Sequence, residues 1–545
     1  MSDPITAPTA PKPPTTPTPP TTPAGLDPDA LSMDAIRAGA LHDQPITVLG
    51  LARSGVALAR FLDDAGARVT IYDGRPAAEL GEAIAALGGR QVRLELGPEV
   101  DPATTWADAV LVTTSPSINP DYPTTEPRLR GELQALVGAR AAAPARAPAR
   151  APARAPALIS EPDLFLRLCV APTIGVTGTK GKTTTSALIA ALLAADPSHP
   201  AVLGGNMGIP IVERLPELTP NHRVVYELSE LQLPTLSRGT TVAVYTNVTA
   251  DHLDRHGSVE AYRRVKRRLA ELVDPDGALV LNGEDPVVGA YAGLGIAPAV
   301  IYRRTRPMPG GIGVVDGWIV AAGMERLPLA GGGAVGTGPG GRIMPLGELA
   351  IPGAHNVSNA LAAVAVALLF GVAPDAIREA AAAFTGVEHR LESVALIDGV
   401  RFVNDSQGTQ PDAVIAALRA FDGPVVLIAG GRDKGVDLSA LGPVVAERAV
   451  AAVVIGESGP DLAARFRDAG LVTVESADSL PEAVRRADTL ARAALSAAGP
   501  GAGPATVLLS PAAASFDMFV DYVARGRAFK TAVAALAADR RGRDR

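Results

Sequence analysis

The chain has 545 residues, longer than one hydrophobic core ordinarily supports, so several domains are expected. A formal charge of −7 argues against a general nucleic-acid binder, which needs a clustered basic surface, and a single cysteine, Cys169, excludes an internal disulfide or a cysteine-cluster zinc site. Met1–Asp27 lacks the apolar core of a signal peptide, and the least polar run, Ala360–Ala373, falls short of the ~20 residues that span a bilayer, so a cytoplasmic protein without a membrane segment is expected.

Residues 1–40 are rich in Pro and Thr and are expected to be unstructured. A βαβ unit follows: strand Ile46–Leu49, a turn from Gly50 to Ser54, a helix to Gly66 and strand Arg68–Tyr72, ending at Asp73. Between residues 139 and 157 a Pro-Ala-Arg-Ala repeat places Pro at every fourth position, which forbids a regular helix and reads as an exposed insertion. The next block opens with an apolar strand ending at Val176, passes a Gly/Lys loop and continues as a helix, Thr183–Ala195, with strands at Arg223–Leu228 and Thr241–Thr246. Gly331–Gly341 reads as a loop. The last block alternates again, with strands Arg401–Val403, Val425–Ala429, Val450–Ile455 and Thr506–Leu509 and a helix at Pro411–Ala420. The expected fold class is α/β, with three domains in series: a Rossmann-like domain over 41–168, a central P-loop ATPase-like domain over 169–386 and a Rossmann-like domain over 387–545.

The Gly/Lys loop carries the clearest chemistry. Five residues rather than four separate Gly175 from Gly181, so the regular Walker spacing fails. The core Gly178-Thr179-Lys180-Gly181-Lys182-Thr183-Thr184 still supplies glycine amides for an anion, an ammonium for β/γ-phosphates and a hydroxyl for Mg²⁺. Asp251, His252 and Asp254 follow a predicted strand; alone they admit a metal ligand, a proton carrier or a capped turn. Only six lysines stand among 50 basic residues. Lys266 is one of them, at the edge of a helical stripe of Val259, Tyr262, Val265, Leu269 and Leu272 and flanked by Arg263, Arg264, Arg267 and Arg268; it is either half-buried or on a solvated face. Gly50, Gly55 and Asp73 would also suit an NAD site, but the middle glycine of that fingerprint is missing.

Taken together, Gly175-Val-Thr-Gly-Thr-Lys-Gly-Lys-Thr-Thr184, Gly204-Gly-Asn-Met-Gly208, Glu227-Leu-Ser229, Asn247-Val-Thr-Ala-Asp-His-Leu-Asp254, Gly353-Ala-His-Asn-Val-Ser-Asn-Ala360, His389-Arg-Leu-Glu392 and Asn404-Asp-Ser406 resemble a Mur ligase. The resemblance implies an enzyme that uses ATP to activate a carboxylate as an acyl-phosphate, and its D-glutamate-adding branch is similar in Gly50–Gly55, Leu509–Ser515 and Arg525-Gly526. It implies that Lys182 and Thr183 hold ATP phosphates and one Mg²⁺. Glu227, His252 and a carbamylated Lys266 would serve a second Mg²⁺. Asn356, Asn359 and Arg390 would lie at the ATP site, with Asp405 on the ribose. Arg53, Ser54, Asp73, Arg75 and Ser115 would bind UDP-N-acetylmuramoyl-L-alanine, Asn206 and His252 its acyl end, and Thr409, Lys434, Ser515 and Tyr522 D-glutamate. Such an enzyme has small-molecule partners only and is expected to be a monomer. Two departures stand out: Gln407-Gly-Thr-Gln410 where many relatives read Lys-Ala-Thr-Asn, and Ser117 where a glycine is common. A sister ligase for another amino acid, a folylpolyglutamate-type ligase and an inactive nucleotide-binding regulator are the alternatives. The last of these is disfavoured by the presence of Lys182, Glu227, His252 and Lys266 together.

Overall fold

The computed structural model describes residues 26–142, 155–206, 210–249, 253–351, 353–433, 437–499 and 503–543. The fold is mixed α/β and forms two compact units. The first takes in the chain to Thr179 with Val202–Leu279 and Ala290–Pro298; the second takes in Lys180–Ala201, Val280–Gly289 and the chain from Ala299.

In the first unit, Pro45–Leu49 (β1), Arg68–Asp73 (β2), Arg93–Leu96 (β3), Leu111–Thr114 (β4) and Ala157–Ser160 (β5) form a parallel sheet in the order β3-β2-β1-β4-β5. The helix Arg53–Asp64 closes the first βαβ turn and buries Val56, Leu58, Phe61 and Leu62. Gly55 is required there: a Cβ on it would lie 1.7 Å from the Gly50 carbonyl, so helix and turn pack backbone to backbone. Thr173–Thr177 (β6), Ala201–Gly205 (β7), Arg223–Glu227 (β8) and Val242–Tyr245 (β9) follow in the order β9-β6-β8-β7. Strand β6 is buried along its whole length and pairs in parallel with β8 and β9, as its unbroken apolar run requires.

Ala278–Asn282 (β10) carries the chain into the second unit. There Ala299–Tyr302 (β11), Gly311–Val315 (β12), Trp318–Ala322 (β13) and Arg342–Pro345 (β14) pair in that order, the last two contacts being antiparallel. Glu392–Ile397 (β15), Val400–Asn404 (β16), Val425–Gly430 (β17), Ala449–Ile455 (β18), Val474–Ser476 (β19) and Ala505–Leu509 (β20) make a six-stranded sheet, β15-β16-β20-β17-β18-β19. Its inner strands are apolar on both faces. Val403, Leu427, Val454 and Leu508 enter one core with Phe466, while Phe402, Ile428, Val453 and Leu509 enter the other with Phe529.

Two expectations need correction. Of the lead expected to be unstructured to residue 40, Pro28–Ala30 and Met33–Arg37 are helical, with Leu31, Met33 and Ile36 buried and Asp29 paired to Arg167 and Arg238. The insertion expected over 139–157 is narrower, because its first residues complete the helix Pro127–Ala142 and Ala157 begins β5; residues 143–154 lie outside the described set. The apolar run from Ala360 belongs to the buried helix Ala354–Leu369, and among the described residues no helix is long and apolar enough to cross a membrane.

Candidate active site

Directly after β6 comes Gly178, whose φ of 150° and position exclude a side chain: a Cβ would lie 1.9 Å from Thr246 Oγ1. Thr179 then donates its amide to Asn247 O at 2.7 Å, and its hydroxyl accepts from the Thr249 amide at 3.0 Å. The loop is thereby tied to the end of β9.

On the other side of the loop, Gly181 caps the helix Lys182–Leu193 in the left-handed region with no side-chain cap bond, the glycine-led helix start that suits an anion. A Cβ on Gly181 would sit 2.7 Å from Asn359 Oδ1. The structure brings four expected residues together here. Asn359 accepts from Thr185 Oγ1 at 3.1 Å and donates to Asn356 Oδ1 at 3.1 Å, and Arg390 donates to Thr183 Oγ1 at 2.8 Å. Lys180 is exposed, and Lys182 and Thr184 are half-buried at the helix start.

A second cluster lies at the carboxyl ends of β6 and β8. Glu227, 1% exposed, accepts from Asn206 Nδ2 at 2.9 Å through Oε1, while its buried Oε2 has no hydrogen-bond partner among the described residues. An unengaged carboxylate oxygen suits a hard divalent cation such as Mg²⁺. Lys266 is 0% exposed, deeper than its place at the stripe edge suggests, because Tyr262, Lys266, Leu269 and Ala270 form the buried face of Val259–Leu272. Its Nζ donates to Thr177 Oγ1 at 3.2 Å and lies 5.5 Å from the Tyr262 ring centre. Tyr262 OH in turn meets Thr179 Oγ1 at 3.1 Å. His252 and Lys434 lie outside the described residues. Among the described residues no group of three His, Cys, Asp or Glu gathers as a ready-made metal centre.

A cavity of about 570 Å³ opens at the carboxyl ends of β1, β2 and β4, lined by Asp73, Arg75, Ser115, Ser117, Glu126 and Arg255 among others. Asp73 accepts from the Leu51 amide and Arg75 Nη2, each at 2.8 Å. Burial pushes its carboxyl up, but the Arg75 guanidinium and the two backbone amides outweigh this and hold it below the ordinary range. Ser117 meets Ser115 Oγ at 3.2 Å, so the usual glycine is replaced by a hydrogen-bonding group. Arg53 and Ser54 begin the neighbouring helix outside this lining, and Asn206 lies with Glu227 instead. Glu126 and Arg255 were not singled out from sequence; for Arg255 the signal was its place directly after the Asp251–Asp254 motif.

In the six-stranded sheet the expected residues again follow strand ends. Asp405 accepts from Ser510 Oγ at 2.7 Å and the Leu391 amide at 3.2 Å, and burial raises its carboxyl to about 6. Tyr522 accepts from Ser406 Oγ at 2.8 Å through its carbonyl, and its ring meets His389 edge-on. Ser515 is buried and Thr409 half-buried on separate loops. Gln407, where many relatives carry lysine, has a buried Oε1 without a partner among the described residues. The sequence motif included Arg525 without a role. At 1% exposure it donates to Ser406 Oγ at 3.0 Å and to the Ala513 and Ala514 carbonyls at 3.2 Å, joining the loops after β16 and β20. Burial lowers its guanidinium to about 10.

The sequence matches the Mur ligase middle domain over residues 176–302 and the Mur ligase glutamate ligase domain over 389–513. It is 37% identical over 506 residues to the UDP-N-acetylmuramoylalanine–D-glutamate ligase of Symbiobacterium thermophilum, covering 92% of this chain and 100% of that relative. The like-named ligase of Anaeromyxobacter dehalogenans is 38% identical over 493 residues, 89% of this chain and 96% of that one. Among solved structures, the UDP-N-acetylmuramate-alanine ligase of Thermotoga maritima aligns with a TM-score of 0.48 at 19% identity, covering 90% of this chain and 99% of that chain.

Proposed function

Because the chain belongs to the Mur ligase family, we propose that it joins D-glutamate to UDP-N-acetylmuramoyl-L-alanine at the expense of ATP, giving ADP and phosphate, in peptidoglycan precursor synthesis. The observation that carries this reading is that a fully buried Lys266 amine reaches Thr177 at the end of β6 while, at the end of the adjacent β8, Glu227 Oε2 is buried with no hydrogen-bond partner among the described residues. A buried amine and a half-satisfied carboxylate beside a phosphate loop are costly for a merely structural turn and suit a site that gathers phosphate and metal.

In the reading, residues 41–168 bind the UDP-sugar, 169–386 the ATP and 387–545 the amino acid. The glycine amides of 178–181, Lys182 and Arg390 hold the phosphates of ATP, with Asn356 and Asn359 behind them and Asp405 toward the ribose. The γ-phosphoryl group passes to the carboxylate of the UDP-linked substrate. The free amine of D-glutamate, oriented by Thr409, Lys434, Ser515 and Tyr522, then attacks the acyl carbon and phosphate leaves. Arg53, Ser54, Asp73, Arg75 and Ser115 anchor the UDP-sugar, and Asn206 and His252 its acyl end. Thr183 would hold one Mg²⁺, and Glu227 and His252 with a carbamylated Lys266 a second; bound there, the ions neutralise charge on the transferring phosphoryl group. A carbamate is available to an amine and not to a guanidinium, which accounts for one lysine kept among four arginines. Each protomer carries residues for all three substrates, so a monomer suffices, and nucleotide substrates fit the cytoplasm. The Gln407 substitution favours a second reading, a sister ligase with another amino acid.

The test is phosphate release from ATP with Mg²⁺, UDP-N-acetylmuramoyl-L-alanine and D-glutamate. The unaltered chain turns over, and Lys266→Arg abolishes turnover with an unchanged circular dichroism spectrum and no rescue by bicarbonate. An inactive unaltered chain sinks the reading, and near-normal turnover in Lys266→Arg sinks the carbamate.

A further inference from the structure

Lysine is scarce in this chain, and Lys530 lies outside every motif assigned above. On the helix Tyr522–Arg543 its Nζ bridges two carboxylates, Glu388 Oε1 at 2.8 Å and Glu392 Oε1 at 2.9 Å. Those glutamates bracket a turn with two non-glycine residues in the left-handed region, His389 at φ 65° and Leu391 at φ 45°. Such a turn persists only where its surroundings over-determine it. The other oxygen of Glu392 accepts from the His389 amide at 2.9 Å and from Asn404 Nδ2 at 2.9 Å. The buried His389 ring packs on Gly526, where a Cβ would lie 2.2 Å from Nδ1. Gly526 and Lys530 are four residues apart, hence on one helix face, so a single face both receives the ring and clamps the two carboxylates.

Between the two strained residues stands Arg390, whose guanidinium donates to Thr183 Oγ1 at 2.8 Å at the start of the phosphate-loop helix, and Leu391 donates its amide to Asp405 at 3.2 Å. We propose that Lys530 is a positioning residue for the nucleotide: by tying Glu388 and Glu392 to one helix face it fixes the 389–391 turn and aims Arg390 at the phosphate loop. The inference rests on the reading of that loop as the ATP site. A compact ammonium with three donors can bridge two carboxylates from separate backbone positions, and a guanidinium can also span both, though less closely because its planar fork favours two-pronged pairing with one; this gives a reason for lysine here in an arginine-rich chain.

Binding of a fluorescent ATP analogue, steady-state kinetics and thermal melting are measured on the full chain, Lys530→Met, Lys530→Arg and Glu388→Gln. Lys530→Met keeps the side-chain stem and removes the charge. It raises the KM for ATP and the analogue Kd about tenfold while leaving the KM for the other two substrates within about twofold, since a displaced binding group acts on what it touches. Its Tm stays within a few degrees, because a partly exposed ion pair contributes little to stability. Glu388→Gln, which alters an exposed partner, moves the ATP parameters the same way by a smaller factor, and Lys530→Arg restores them to within about threefold. The proposal is overturned if Lys530→Met binds and uses ATP as the unaltered chain does, if all three substrate KM values rise in parallel, or if Lys530→Arg is as impaired as Lys530→Met. If the unaltered chain binds no ATP analogue, the nucleotide reading itself fails and takes this proposal with it.

Discussion

At the scale of single residues, two buried ionisable groups have different fates. Lys266 sits where the sequence placed it, on a helix after the Asp251–Asp254 motif, but periodicity put it only at the edge of the apolar stripe. Full burial follows from contacts across the chain, with Thr177 and Tyr245, that no helical period encodes. Glu161 had no sequence signal at all. It is 3% exposed at the start of the helix Glu161–Leu168, beside Tyr226, and burial raises its carboxyl to about 7, against bonds from the Val212 backbone and Tyr226 that lower it. A folded-state value above the unfolded one means that the native protein binds the extra proton. The contribution of Glu161 to stability is therefore fully present below about pH 4.5 and is lost as pH rises to about 7, a swing on the order of 3 kcal/mol. Denaturant unfolding between pH 5 and 8 checks this: the unaltered chain loses stability over the window, and Glu161→Gln flattens the slope. An equally steep slope in the variant rules out Glu161 as the source.

At the scale of elements, the strands and the phosphate loop were the most legible, because unbroken apolar runs bounded by glycine have few other uses. Strand β6 ends one residue beyond its expected end, and β16, β17 and β20 differ from expectation by a residue or two. What stayed hidden was long-range. The helical lead at Pro28–Ala30 was masked by Pro/Thr composition, and its order depends on Asp29 reaching Arg167 and Arg238, more than a hundred residues away. The role of Arg525 likewise depends on carbonyls supplied by distant loops. Gly178 is the element's most exposed weakness to mutation, since both its φ of 150° and the 1.9 Å approach to Thr246 forbid a Cβ. Gly178→Ala is expected to shift the loop and lower ATP-dependent turnover by roughly a hundredfold, with the β-sheet intact by circular dichroism. Turnover within about threefold of the unaltered chain would show that the loop tolerates the displacement.

At the scale of the whole molecule, Asp73, Ser115, Gly178, Glu227 and Asp405 lie at or just beyond strand carboxyl ends, where open α/β sheets collect their ligands. This explains why motifs scattered from Gly50 to Arg525 read as sites. The proposed amino-acid end is the least legible part, because Thr409 and Ser515 sit on separate loops and Tyr522 starts a helix, and Gln407 breaks the family pattern there. The central claim is that ATP activates the carboxylate of the UDP-linked substrate and D-glutamate captures it. It is tested most directly by placing ¹⁸O in that carboxylate and following the label by mass spectrometry in a panel of amino acids. The account predicts one labelled oxygen in the released phosphate, coupled to ligation with D-glutamate and not with L-glutamate or other amino acids. Unlabelled phosphate would contradict the acyl-phosphate route, and labelled phosphate with another amino acid preferred would contradict the assignment of D-glutamate.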